Sequence, residues 1–261
     1  MEVRGFVAVM LLAAVVTTGC SSAGARRGDL LPASPSASPS GPDLSDATLW
    51  LDFEDESVDY DGAVVYADAL DGPFDGRVVT SGGGGVERTA GPADRGRAVA
   101  FPERCAAPSG CPRAIVEVAP DPALDPGESD FEFGASVWLA PDQTTRGSNI
   151  VQKGRFAADD GLWKLQVDSD EGEPSCVIRS GSDLITVRSS VSIADGSWHQ
   201  VRCLKDGQGI TIQVDDASDR KAGRTGAVSN SWPVRIGGPG VGEGDDQFHG
   251  RIDDVYLRIA R

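Results

Sequence analysis

The 261-residue chain has few of the residues on which several large classes of protein depend. Only 6% of its residues are aromatic, and it has two histidines and five cysteines. With His199 and His249 alone and no C-x₂-C pair, it offers little to bind zinc. It also lacks a G-x-S-x-G motif, a phosphate-binding glycine loop and a basic patch interleaved with aromatics. Nucleophilic catalysis, phosphate chemistry and nucleic-acid recognition therefore receive no support from the sequence.

Positive charge is also scarce, and the net charge is −16. The first 43 residues contain three basic and three acidic residues, so the whole excess of negative charge belongs to the rest of the chain. Such a surface opposes binding to nucleic acid and to anionic lipid headgroups. It suits cations and neutral or cationic ligands, and it is equally compatible with an acidic surface of no special function.

No apolar run is long enough to span a bilayer as a helix. The longest, Phe6–Val16, is about 11 residues, follows a short charged start and fits the core of an export signal. Gly19, Cys20 and the two serines after them resemble a bacterial lipobox. Residues 1–20 are therefore predicted to be a lipoprotein signal peptide, with Cys20 lipidated and the protein anchored to the outside of the cell membrane. The alternative is cleavage after Ala25 and secretion.

Residues 21–43 are rich in Ser, Pro and Ala and have few apolar groups to bury. We expect them to form a disordered tether, because such a segment cannot offset the entropy cost of ordering. Residues 44–261 then form one domain, which we expect to be monomeric.

Short runs of alternating apolar residues follow one another through this domain, separated by glycine- and aspartate-rich turns. Ala47–Glu54 places Leu49, Leu51 and Phe53 on one face, and Asp130–Leu139 does the same with five residues. No segment shows a helical period. This pattern predicts an all-β, two-sheet antiparallel sandwich. Residues 61–94 are irregular and are expected to form a long loop with one or two edge strands.

An ordered set of motifs resembles the laminin-G-like modules of the concanavalin A-like lectin and glucanase fold. The set comprises D-F-E-F-G-A-S-V-W-L at 130–139, N-I-V-Q-K-G at 149–154, D-G-S-W-H-Q-V at 195–201, I-T-I-Q-V-D at 210–215 and G-R-I-D-D-V at 250–255. The resemblance implies a jelly roll that binds a carbohydrate or protein ligand outside the cell. The same fold also serves as a glycan hydrolase and as an adhesive or purely structural surface protein, so these functions remain alternatives.

If Cys20 is lipidated, four cysteines remain and allow three pairings. Strand alternation places Cys176 and Cys203 on the inward faces of two strands that are close in the hairpin series. We therefore predict a Cys176–Cys203 disulfide, with Cys105–Cys111 closing a short loop.

Asp253 is a candidate calcium ligand. Period two points it inward with Val255 and Leu257, and a buried carboxylate is costly unless it is paired or binds a cation. The resemblance implies a structural calcium at this place in the last strand, with Glu54 or Asp55 and backbone carbonyls completing the oxygen shell. The alternative is that loop amides donate hydrogen bonds to Asp253.

Glu128, Asp130 and Glu132 form an E-x-D-x-E run similar to the catalytic run of family-16-type glucanases. Two features oppose catalysis: Ser129 stands where an apolar residue is usual, and Glu128 follows a Pro-Gly turn. We therefore expect a binding module without catalytic residues.

Trp50 and Trp138 point away from the inward apolar set, so they either form a ligand platform or are covered by a loop.

Overall fold

The structure, a computed structural model, describes residues 43–107, 109–158 and 160–260. The predicted signal peptide, Cys20, Ala25 and all of the predicted tether except Asp43 lie outside these residues. The described part of the chain contains no helix with the length and apolarity needed to cross a membrane.

Seventeen strands and three short 3₁₀ helices make up the regular structure of the described residues. In chain order the strands are β1 Leu49–Leu51, β2 Glu56–Val58, β3 Val64–Tyr66, β4 Gly76–Ser81, β5 Glu87–Ala90, β6 Arg97–Ala100, β7 Arg113–Val118, β8 Phe131–Trp138, β9 Ser148–Lys153, β10 Leu162–Val167, β11 Pro174–Ser180, β12 Asp183–Arg188, β13 Trp198–Asp206, β14 Gly209–Val214, β15 Ala217–Ala222, β16 Val234–Ile236 and β17 Arg251–Ile259. The 3₁₀ helices are Pro92–Asp94, Pro122–Leu124 and Pro141–Gln143.

The strands form two antiparallel sheets, which confirms the predicted jelly-roll sandwich. The smaller sheet has the order β15-β14-β13-β8-β17-β6-β5, with β1 also paired to β17. The larger sheet has the order β12-β11-β10-β9-β16-β7-β4-β3-β2. The inward faces of both sheets supply one core, in which Phe133 of β8 contacts Trp163 of β10 with ring centroids 4.8 Å apart. Leu49, Leu51 and Phe53 are fully buried in it, as their alternation predicted.

Both predicted disulfides are present. Cys176 and Cys203 lie on facing strands of the two sheets, are fully buried and have Cα atoms 5.8 Å apart. Cys105–Cys111 closes a short surface loop. The first disulfide therefore joins the sheets through the core, and the second constrains only local chain.

The prediction for residues 61–94 was right for one edge strand, β5, and wrong for the long loop. This segment contains β3, β4 and β5, and β4 pairs with β7 over six residues inside the larger sheet. The alternation of Val78 inward and Arg77 outward was obscured by neighbouring glycines, and β3 is only three residues long.

Candidate functional site

The outer face of the larger sheet has a polar floor. On β9, β10, β16 and β7, Val151, Leu165, Ile236 and Val116 point into the core, so their sequence neighbours point outward. Gln152 and Lys164 are cross-strand partners on this outer face, and Arg235 and Glu117 continue the same row. Gln152 and Lys164 are nevertheless buried, because flanking loops rise above this part of the sheet.

A cleft of about 500 Å³ lies above that floor. Asn149, Gln152 and Lys164 line its base. One wall comes from the β9–β10 loop and from Trp232, which precedes β16; the other comes from Pro239, Asp245 and Asp246 in the β16–β17 loop. Its volume is typical of small-molecule sites.

Cation–π contacts and hydrogen bonds hold the aromatic wall. The Arg155 guanidinium lies 4.8 Å from the centre of the Trp232 ring, and the indole Nε1 donates to Asp160 Oδ2 at 3.0 Å. Arg179 of β11 stacks on Phe156 at 4.7 Å and donates to the carbonyls of Phe156 and Ala158. The wall is thereby fixed before any ligand binds.

Two polar groups on the floor lack partners among the described residues. Asn149 donates through Nδ2 to Gln152 Oε1 at 2.8 Å, but its buried Oδ1 accepts no hydrogen bond within the described part of the chain. Lys164 makes no direct hydrogen bond to a described residue; burial lowers its pKa, while the charges of Asp246 and Asp168 oppose that shift. Unsatisfied groups at the base of a cleft are available to a polar ligand.

Sequence analysis missed this cleft. Asn149, Gln152 and Lys164 occupy outward positions of β9 and β10, where polar residues are ordinary. The available signal was that these strands sit in the middle of the sheet, flanked by an exposed aromatic, Phe156, and by Trp232.

The structure brings Asp253 close to other carboxylates. A β-bulge between Asp253 and Tyr256 breaks the period-two pattern, so Asp253 pairs with Ser136 and does not share a face with Val255. Asp253 is still buried, at 5% exposure. Burial, reinforced by the charges of Asp254, Glu54 and Asp52, raises its pKa to about 8. Asp55 is not among these charges; its carbonyl accepts from Ala67 instead.

Two glycines pack closely against these carboxylates. A Cβ on Gly91 would lie 2.8 Å from Asp253 Oδ2, and one on Gly96 would overlap Glu54 Oε1. Carboxylate oxygens are ligands that a hard cation such as calcium prefers. Asp253 Oδ1 also accepts from the Asp254 amide at 2.8 Å, and Glu54 Oε1 accepts from the Arg97 amide at 2.6 Å, in line with the alternative that backbone amides satisfy these carboxylates. Among the described residues, however, no three Asp, Glu, His or Cys side chains are grouped closely enough to hold a metal themselves. Asp253 and Glu54 would therefore need backbone carbonyls to complete a calcium shell.

The E-x-D-x-E carboxylates lie away from the cleft. Glu128 is in a turn and Asp130 precedes β8, and both are exposed. Glu132 lies on the outer face of the smaller sheet, where it accepts a hydrogen bond from the Tyr256 hydroxyl and lies 3.7 Å from Arg202.

The two predicted platform tryptophans also lie on the outer face of the smaller sheet. Trp50 Nε1 donates to Asp254 Oδ1 at 3.1 Å. Trp138 Nε1 donates to the Gly196 carbonyl at 2.6 Å, and Arg251 stacks on its ring at 4.5 Å. Each ring is half-buried and has a polar partner within the fold.

Solved structures share this fold at low sequence identity. Domain 4 of AbnA, a GH43 extracellular arabinanase from Geobacillus stearothermophilus, in complex with arabinotriose, is 15% identical with a TM-score of 0.55, covering 81% of this chain and 91% of that one. The binding domain of botulinum neurotoxin DC is 10% identical in its complexes with SialylT and with rat synaptotagmin II, with TM-scores of 0.52 and 0.53. Both alignments cover 83% of this chain and 49% of the neurotoxin chain.

No curated protein matches the sequence. The family model of the concanavalin A-like lectin/glucanases superfamily matches residues 117–258, which is more than half of the chain. The protein therefore belongs to the concanavalin A-like lectin/glucanase superfamily.

Proposed function

We propose that the protein is a carbohydrate-binding module whose ligand lies in the cleft on the larger sheet. The observation that supports this most directly is the pairing of an aromatic wall, Trp232 and Phe156, with polar groups on the floor, the unsatisfied Oδ1 of Asn149 and the buried amine of Lys164. A sugar presents an apolar ring face and a rim of hydroxyls, which this arrangement complements. The two carboxylates and two cations that line the cleft favour a neutral glycan. The arabinotriose complex of the arabinanase domain supports this ligand class.

We further propose that calcium held by Asp253 and Glu54 stabilises the domain, and that a lipid on Cys20 displays it at the cell surface. The ion would neutralise carboxylates that otherwise repel one another. Two disulfides are typical of a protein outside the cytoplasm and support export.

Replacing Trp232 by alanine is expected to weaken binding of neutral glycans at least about tenfold, because the aromatic wall of the cleft is lost. A glycan array with and without a calcium chelator would identify the ligand, and calorimetry would then compare variants. Tyr60→Ala is the control, since Tyr60 is 97% exposed and is not one of the residues that line the cleft.

Trp138→Ala separates the two candidate faces. If it abolishes binding while Trp232→Ala does not, the ligand lies on the smaller sheet and the proposed cleft is wrong. Turnover of an array glycan that disappears in Glu132→Gln would instead establish the hydrolase alternative. A protein that binds no glycan at all would overturn the carbohydrate proposal.

A further inference from the structure

Lys153, the last residue of β9, has a fully buried side chain. Its backbone pairs with Trp163 on one side and Val234 on the other, so its side chain starts from the apolar inner face of the larger sheet. Its Nζ lies 2.5 Å from Asp125 Oδ1, 2.7 Å from the carbonyl oxygen of Asn230 and 3.3 Å from Asn230 Oδ1. A buried ion pair contributes little net stability compared with apolar packing, so stability alone does not account for this arrangement.

The surroundings of Asn230 match the requirements of an amide under attack. Its Oδ1 accepts a hydrogen bond from the Trp232 backbone N–H at 2.9 Å, which polarises the side-chain carbonyl. Its Nδ2 donates to the Gly161 carbonyl at 2.7 Å, which fixes the orientation of the amide plane. Asp125 Oδ1 also accepts from the Asn230 backbone N–H at 3.2 Å. A fully buried amine thus meets a carboxylate whose side chain is 16% exposed and an activated, half-buried amide.

We propose that Lys153 and Asn230 condense into an intramolecular isopeptide bond, with Asp125 as the proton relay. Asp125 accepts a proton from Nζ, and the nitrogen attacks Cγ of Asn230. Negative charge develops on Oδ1, next to the Trp232 N–H. The bond between Cγ and Nδ2 then breaks. Both protons lost by Nζ end on the departing nitrogen, which leaves as ammonium. One amide replaces another, and no oxidant, reductant or cofactor takes part.

The proximity of the reacting groups would accelerate this reaction. Groups held about 3–3.5 Å apart in the correct orientation react as though their concentration were far above any attainable in solution. The bond would join β9 to the segment that leads into β16. Because Trp232 follows Asn230 by two residues, it would also fix the aromatic wall of the cleft.

The mass of the folded, reduced wild-type protein tests the proposal directly. We expect it to be lower than the sequence mass, after any leader processing, by one ammonia molecule. A tryptic digest should contain residues 147–155 joined to residues 225–235, because acylated Lys153 resists trypsin. Lys205 is the matched control: it is also buried, but among the described residues its Nζ donates hydrogen bonds only to the carbonyls of Glu128 and Ser129, so trypsin should cleave after it.

The Lys153→Arg and Asp125→Asn variants should each have the mass calculated from their sequence, with no loss of ammonia. Circular dichroism would report whether each variant folds. The wild-type measurement decides the matter even if neither variant folds. An unmodified wild-type mass, with normal cleavage after Lys153, would refute the proposal. Loss of one water molecule would show that Asp125 is the acyl donor, and would refute the assignment to Asn230.

Discussion

Replacing Cys176 and Cys203 together by alanine is expected to lower the free energy of unfolding by about 3–4 kcal/mol. The bond closes a loop with a sequence separation of 27 and joins the two sheets through the core. Its removal restores conformational entropy to the unfolded chain and leaves a gap between buried surfaces. Urea denaturation of the two proteins, compared at one pH, measures the difference.

The Cys105→Ala/Cys111→Ala variant is the internal control. Its disulfide has a sequence separation of six and lies in a surface loop, so the expected loss is about 2 kcal/mol or less. Equal losses from the two variants would contradict a core role for the Cys176–Cys203 bond.

Without divalent cations, the domain is expected to become less stable as the pH rises from 5 to 8. The pKa of Asp253 is about 8 in the folded protein and near 3.8 in an ordinary carboxyl. Between these values the folded state retains a proton that the unfolded state has lost, so stability falls with rising pH. The slope is about 1.4 kcal/mol per pH unit, or at most about 4 kcal/mol over the range. Asp52 and Asp254, whose pKa values burial also raises, act in the same direction.

Asp253→Asn is the matched variant, since asparagine preserves shape and removes the titrating group. Other groups also contribute to the pH dependence, among them His199 with its raised pKa and His249 with its lowered pKa. Their contributions cancel when the stabilities of variant and wild type are compared at each pH. Calcium should restore wild-type stability at pH 8, by about 2.7 kcal/mol at a hundredfold excess over the dissociation constant, and should leave Asp253→Asn unchanged. If the free energy of unfolding varies with pH in the same way in both proteins, Asp253 does not have the proposed role. If calcium raises the free energy of unfolding equally in both, the metal site is refuted.

The sequence predicted the sandwich because burial in two packed sheets favours a period of two, which β8 and β14 follow along their length. The same alternation led to the correct disulfides. Alternation failed to indicate two of the edge strands, in which neither face is extensively buried. β15 has mostly exposed positions and forms the sheet edge, so Ala217–Ala222 has no apolar signature. β2 is exposed throughout.

The candidate sites were less accessible to sequence reasoning. Burial of Asp253 was expected, but on the inner face of the sheet; the bulge in β17, with Asp254 at a positive φ of 47°, takes Val255 out of phase with Asp253 and depends on how β17 changes partners. The cleft depends on two loops that are far apart in sequence meeting above the same strands. Nothing in the local pattern of Gln152 or Lys164 indicates that a loop more than 70 residues away covers them.

The pairing of β1 with β17 has a consequence for biosynthesis. Leu49 lies opposite Leu257, and the Thr48 amide donates to the Leu257 carbonyl at 2.7 Å. Contacts between such distant residues form late, because the long intervening loop must close first. The ribosome has made almost the whole domain before β1 acquires its partner. The nascent chain thus cannot complete its fold before synthesis reaches Leu257, and the export proposed above would have that interval in which to engage an unfolded polypeptide.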